Sequence, residues 1–266
     1  ANCSYYISPR RCMAEYAALM ENEGRIHIVE LKDEVIKHKG LGVLNTVALL
    51  SNVEVGEEVL VGQKYLVRMP TKLPELITGM ARRAQTISAK DAGSLITRLG
   101  IGAGDVVLEA GLGSGGLSLH LAKVLGNSGH LVTAEPRNEH AEVGLLNLNR
   151  ASECFSEFPK HTHLEGMVED VVPDLKFDSI ILDMPVHSPA IIACAPKLVF
   201  GGRIACYAPT TSQLEKCWKS CEESGLVVEW AGELMEREWG TASKGGMRPV
   251  NGPFGHTAFL LFAQKR

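Results

Sequence analysis

Three carboxylates and a run of glycines carry the chemistry legible in this chain. Gly111, Gly113, Gly115 and Gly116 fall close together, and a turn so poor in side chains lets a ligand lie against the backbone. Val106, Val107 and Leu108 precede it as a short apolar run that reads as a buried parallel strand, closed by Glu109 and Ala110. Leu117-Ser118-Leu119-His120-Leu121-Ala122 opens a helix beyond it, whose first N–H groups have no intrahelical partner. Strand, glycine turn and helix form a nucleotide-binding arrangement, although a glycine turn in another α/β protein would look alike. Glu135 ends the next predicted strand, 24 residues after Gly111. An acid there can accept both hydroxyls of a bound ribose, or it can serve a helix N-terminus. Asp183, in Leu182-Asp183-Met184-Pro185, ends the fourth predicted strand. A carboxylate at that edge can hold an amine and take its proton, or cap the following helix. His187, close by in sequence, is a second candidate for proton work.

The spacing narrows the ligand. Glu109 stands two residues before the first glycine, giving Glu-x-Gly-x-Gly-x-Gly, where a dinucleotide fold places an apolar residue and spaces its glycines Gly-x-Gly-x-x-Gly. This pattern resembles that of class I S-adenosylmethionine (SAM) methyltransferases. The resemblance implies SAM as cofactor, with the Glu109 carboxylate near its cationic methionine end. After the third predicted strand, Glu165-Gly166-Met167-Val168-Glu169-Asp170 occupies the adenine-contact position of such enzymes. Met167 stands where many have Asp or Asn, so the adenine amine is left to backbone acceptors or Asp170, and Met167 packs on the ring face.

These residues need a sheet to converge on. The expected elements are strand 105–109, helix 117–125, strand 130–134 and helix 138–150. A strand near His163-Leu164, strand 179–182, helix 188–196, strand 203–207, helix 210–224 and strand 226–231 follow, and a last strand spans 256–263. Alternating β and α elements ending in a β-hairpin match a Rossmann-like α/β fold, the seven-stranded class I methyltransferase sheet. Upstream, residues 1–22 read as a tail with a short helix around 14–21. Residues 23–75 hold short strands at close spacing, Thr46–Leu50 among them, as in a small β-barrel-like domain, and the catalytic domain spans 76–266. Leu73, Leu76, Ile77 and Met80 have helical spacing in the connector, and Lys90–Leu99 reads as an amphipathic helix ending at Gly100.

Composition sets the outer limits. A hydrophobic fraction of 45% over 266 residues supplies a full core, and no apolar run reaches transmembrane length. The net charge of −4 gives no global case for nucleic acid, so a basic face has to be local. The seven cysteines (Cys3, Cys12, Cys154, Cys194, Cys206, Cys217, Cys221) include no C-x-x-C pair. Reduced thiols, an intracellular location (cytoplasmic or mitochondrial) and no metal are expected. Residues 1–12 contain Arg10 and Arg11 but no apolar core of a secretory signal.

Four stretches resemble one family, the tRNA (adenine-58-N1)-methyltransferases. They are Arg83-Ala84-Gln85 through Lys90-Asp91-Ala92, Leu108 through Ser118, Tyr207-Ala208-Pro209-Thr210-Thr211-Ser212-Gln213, and Met247-Arg248-Pro249 with Gly255-His256-Thr257-Ala258-Phe259-Leu260. The tail is the most specific. The resemblance implies that Gln85, Glu109, Gly111, Leu112, Gly113, Ser114, Gly115, Ser118, Glu135, Met167 and Asp183 surround SAM. It puts Asp183 at the target base as the catalytic residue and Arg248 and His256 near the active-site mouth or the RNA; Arg82, Arg83 and Arg248 are local cations able to contact tRNA phosphates. It further implies a homotetramer. Two places depart from the pattern: Ser88 stands for an aromatic residue, and Val186-His187-Ser188-Pro189 lacks the usual Trp. Each removes a ring on which an adenine could stack. A small-molecule or protein acceptor, or a non-catalytic tRNA-binding subunit, therefore stays open beside the tRNA enzyme.

Overall fold

The computed structural model describes residues 16–243, 245–250 and 255–266. Cys3, Arg10, Arg11 and Cys12 lie outside them, as does the start of the expected N-terminal helix. The chain divides into two compact units, one of residues 1–80 with 149–156, the other of residues 81–148 with 157–266.

The first unit contains β1 (Tyr16–Glu21), β2 (Ile26–Glu30), β3 (Ile36–His38), β4 (Gly42–Leu44), α1 (Thr46–Leu50), β5 (Glu58–Val61), β6 (Lys64–Met69) and α2 (Leu73–Gly79). Residues 16–21 are a strand, not the expected helix. Tyr-Ala-Ala-Leu-Met-Glu has fair helix propensity, but β1 is paired antiparallel on both sides, by β2 and β6, and tertiary pairing outweighs propensity. Thr46–Leu50 makes the opposite switch: an apolar run expected as a strand is a helix. Asn45 caps it by accepting from the Ala48 N–H at 2.9 Å. Among the described residues the four-stranded sheet runs in the order β2-β1-β6-β5, and β3 and β4 form a separate hairpin. Leu19, Val29, Val59, Val61 and Leu66 form its core.

The second unit runs α3 (Ala89–Leu99), β7 (Val106–Ala110), α4 (Gly116–Leu125), β8 (His130–Glu135), α5 (Asn138–Cys154, of which residues 149–154 count with the first unit), β9 (Lys160–Glu165), α6 (Val168–Val171) and β10 (Phe177–Leu182). It continues with α7 (Ser188–Cys194), β11 (Leu198–Ala208), α8 (Thr211–Glu223), β12 (Leu226–Glu233), β13 (Trp239–Thr241), β14 (Met247–Pro249) and β15 (Phe259–Lys265). Seven strands form one sheet in the order β12-β15-β11-β10-β7-β8-β9. All pairs are parallel except those of β15, which lies antiparallel between β11 and β12. The near-continuous apolar runs of β7, β10 and β11 follow from their burial. Chain order reverses between β7 and β10, a switch point where the connections diverge and leave a crevice at the strands' carboxyl ends. The expected terminal hairpin is the β12–β15 pair, with the small β13–β14 hairpin in the connection between them.

Candidate cofactor and active site

The switch point brings Gly111 and Asp183 together. Both follow directly on neighbouring parallel strands, β7 and β10, and the Asp183 N–H donates to the Ala110 carbonyl at 2.8 Å. Gly111 turns with φ +97, a conformation that L side chains avoid. Its N–H donates to Ala134 at the end of β8 at 2.9 Å. The ends of three strands are thus tied into one rim.

Two lobes of a cleft open from this rim. One, of about 280 Å³, is lined by Gln85, Glu109, Gly111, Leu112, Gly113 and Ser114, with Gly116 and Leu117 from the first turn of α4. The other, of about 150 Å³, is lined by Ala134, Glu135, Pro136, Gly166, Met167 and Val168. Gly111, Arg137, Asp183, Met184 and Pro185 belong to both. The first lobe combines a buried carboxylate with a helix N-terminus, a donor set for a zwitterionic amino acid. The second combines an acid with Met167, Pro136 and Val168, a set for a ribose and an apolar-faced base. SAM has these two halves joined by a sulfonium, and the residues fit it.

The electrostatics suit a cation. Burial pushes the Glu109 carboxyl up to about 8, against a hydrogen bond from Ser118 and with a further push from Asp183 and Glu135. Burial also pushes Asp183 up to about 6, with His187 and Arg137 pulling the other way. Glu135 is buried too, but Arg137 and the Gly113 N–H hold its carboxyl below the usual range. His187 is 3% exposed and donates from Nε2 to the Tyr207 carbonyl at 3.1 Å. Although burial works against its cation, Cys217, Tyr207 and Asp183 raise its affinity for a proton.

A supporting shell fixes the glycine loop. The Ser114 hydroxyl accepts from the N–H groups of Arg83 (3.0 Å) and Ala84 (2.9 Å), which seats the segment carrying Gln85. Asn147 on α5 donates to the carbonyls of Ala81 and Ser114, both at 2.8 Å, and accepts from the Ala81 N–H at 3.1 Å. Gly144, also on α5, lies so close to the loop that a Cβ there would meet Leu112 Cγ at 2.6 Å and the Gly113 carbonyl at 2.9 Å. Gln213 donates to the Pro185 carbonyl at 3.0 Å while completing the α8 capping box with Thr210. Arg137, Gly144 and Asn147 were missed from the sequence. Only Arg137 left a signal there, a cation two residues beyond Glu135.

The remaining expected residues sit outside the cleft walls. Gly115 turns at φ +80 against Gly144, and Ser118 is buried behind Glu109 as its hydrogen-bond donor. Arg83 is exposed and ion-paired with Glu139, and Arg82 is exposed beside it. Arg248 is exposed on β14. His256 bonds Glu233 at 2.7 Å and the carbonyl of Pro209, a cleft-lining residue, at 3.0 Å. Ser88, standing where an aromatic was expected, donates to the fully buried Asp91 at 3.1 Å. Asp91 also takes Lys90 (2.7 Å) and the Tyr207 hydroxyl (3.3 Å), and Lys90 reaches Thr257 at 2.8 Å. Three of the stretches that suggested a family therefore meet in one polar network.

This sheet order with a two-lobed acidic cleft at its switch point defines a class I SAM-dependent methyltransferase. A family model described as the tRNA methyltransferase complex GCD14 subunit matches residues 64–245. The tRNA (adenine(58)-N(1))-methyltransferase TrmI of Thermus thermophilus is 30% identical over 252 residues, covering 91% of this chain and 94% of that protein. A Methanocaldococcus jannaschii tRNA (adenine(57)-N(1)/adenine(58)-N(1))-methyltransferase is 28% identical, with 95% of each chain covered. Among solved structures, a SAM-dependent O-methyltransferase of Thermotoga maritima superposes with a TM-score of 0.77 at 26% identity, covering 95% of this chain and 93% of that one. The chain belongs to the tRNA methyltransferase family of that GCD14 model.

Proposed function

We infer that this protein transfers a methyl group from SAM to N1 of an adenine in tRNA, at position 58. The carrying observation is Asp183, a half-buried carboxyl at the junction of the two lobes. Bound SAM supplies a methyl group activated on a sulfonium. Gln85, the glycine loop and Glu109 hold the amino-acid end, Glu135 holds the ribose, and Met167 packs on the adenine of the cofactor. Asp183, ionised above pH of about 6, accepts a hydrogen bond from the exocyclic amine of the target adenine and takes up its proton as N1 is alkylated. The target base must leave its stack to reach the cleft. Arg82, Arg83 and Arg248 supply phosphate contacts on a chain of net negative charge, and His256 orders the mouth through Pro209.

The test is incubation with labelled SAM and unmodified tRNA, followed by mapping of the methylated nucleoside. 1-Methyladenosine at position 58 supports the reading. Bound SAM with no transfer to tRNA, or transfer to a hydroxyl acceptor instead, overturns it. The reading extends to a homotetramer, on the family resemblance, and to the cytosol or a mitochondrion, on the cysteine usage; light scattering and fractionation check these two points.

A further inference from the structure

Glu135 stands where a ribose acceptor is needed, yet its carboxylate is already fully bonded. Oε1 accepts from Arg137 Nε at 2.7 Å and from the Arg137 backbone N–H at 3.2 Å. Oε2 accepts from the Gly113 N–H at 3.0 Å and from a terminal guanidinium nitrogen of Arg137 at 3.1 Å. Two donors on each oxygen fill the roughly four lone-pair sites of a carboxylate. A ribose diol brings two more donors to the same group. The backbone donors are fixed by the β7 and β8 loops, so the guanidinium has to yield.

The surroundings make that exchange feasible. The Glu135 side chain is completely buried, whereas that of Arg137 is 59% exposed. Arg137 also forms part of the wall of both lobes, so its head lies along the path of an entering ligand. Leaving the carboxylate takes the guanidinium into water, which can satisfy its N–H groups. Leaving Glu135 buried with no replacement donors would be costly. The pair therefore opens only for a ligand that brings two hydroxyls of its own.

We propose that Arg137 is a stand-in for the cofactor's ribose diol: its paired N–H donors satisfy buried Glu135 and are displaced when the ribose hydroxyls arrive. The proposal rests on the SAM reading of the cleft. It makes Arg137 a competitor of the ribose diol for Glu135, and it lowers cofactor affinity.

The test is calorimetric titration of the full chain, without RNA, using S-adenosylhomocysteine and its 2′,3′-dideoxy analogue. Arg137→Gln is expected to bind S-adenosylhomocysteine about three- to tenfold more tightly than the unaltered protein, the range set by a half-exposed ion pair. Arg137→Lys, whose single ammonium cannot bridge both oxygens, should fall between the two. The dideoxy analogue, which brings no hydroxyls to open the pair, should gain less from Arg137→Gln than S-adenosylhomocysteine does. On a Glu135→Gln background the Arg137→Gln gain should vanish. Tightening of less than threefold in Arg137→Gln overturns the proposal, and weakening instead identifies the guanidinium as a cofactor ligand. If Arg137→Gln does not fold, Arg137→Lys decides, with unchanged or weaker binding overturning the proposal. No binding of S-adenosylhomocysteine by the unaltered protein overturns the SAM reading itself and the proposal with it.

Discussion

Gly111 and Asp183 touch through their backbones at the centre of the sheet. A Cβ on Gly111 would fall inside the Asp183 carbonyl oxygen and 2.9 Å from its carbonyl carbon. The position also needs φ +97. Gly111→Ala is therefore expected to cost about 3–5 kcal/mol. That lowers the melting temperature by roughly 10 °C and displaces Asp183 from the cleft junction. Thermal melts and S-adenosylhomocysteine titration read both effects.

Asp183→Asn should separate chemistry from stability. Transfer falls by about 10²–10⁴, while cofactor binding stays within a few fold. Because the folded carboxyl is raised to about 6, the native state keeps this proton across pH 4–6 while the unfolded chain loses it. The stabilisation is present at pH 4 and lost as pH rises through 6. Asp183→Asn therefore stabilises the empty protein at pH 7–8, by on the order of 2 kcal/mol, and leaves pH 4 stability unchanged. For the unaltered enzyme, kcat/KM should fall up to tenfold per pH unit below 6.

Glu109 couples cofactor binding to protons. Raised to about 8, it is protonated at pH 7 before a ligand binds, and a cationic ligand favours its ionised form. SAM binding should release a proton and tighten with rising pH between 6 and 8, by up to tenfold per unit. Calorimetry in two buffers of different ionisation heat measures the release. Glu109→Gln should abolish both the slope and the buffer dependence.

Gly144→Ala tests a helix glycine against its propensity. In an exposed helix the change would stabilise by about 0.5–1 kcal/mol. Here the added methyl meets Leu112 and Gly113, so the variant should melt lower and bind S-adenosylhomocysteine at least several fold more weakly.

Asn147→Ala removes three hydrogen bonds that clamp the 81–85 segment to the glycine loop. A loss of about 2–4 kcal/mol is expected. Cofactor affinity should drop with it, because Gln85 loses its seat.

The parts of this design that follow local rules were readable from the sequence. The glycine turn, the helix that follows it and the acids at the ends of β7, β8 and β10 each carry a signature within a few residues. The misreadings came where partners from elsewhere decide. Tyr16–Glu21 is a strand because β2 and β6 flank it, and no local pattern announces that. Thr46–Leu50 is a helix because Asn45 caps it, a signal overlooked among short strands. Gly144 and Asn147 lie about thirty residues past the loop they support, so nothing in their neighbourhood marks them. Ser118, expected beside the cofactor, donates its hydroxyl to Glu109, a pairing the motif spacing does not announce.

The place of β15 bears on how the chain folds as it is made. It is the last strand of the sheet in sequence yet sits inside it, between β11 and β12. At synthesis rates of ~5–20 residues per second, β12 leaves the ribosome seconds before β15, its sheet neighbour among the described residues, exists. During that interval β11 presents a bare edge through Ile204, Ala205 and Cys206, all wholly buried once folding is done. An apolar edge of that kind pairs readily with another nascent chain. Yield during expression should therefore depend on chaperone supply and temperature, even where the finished protein is stable.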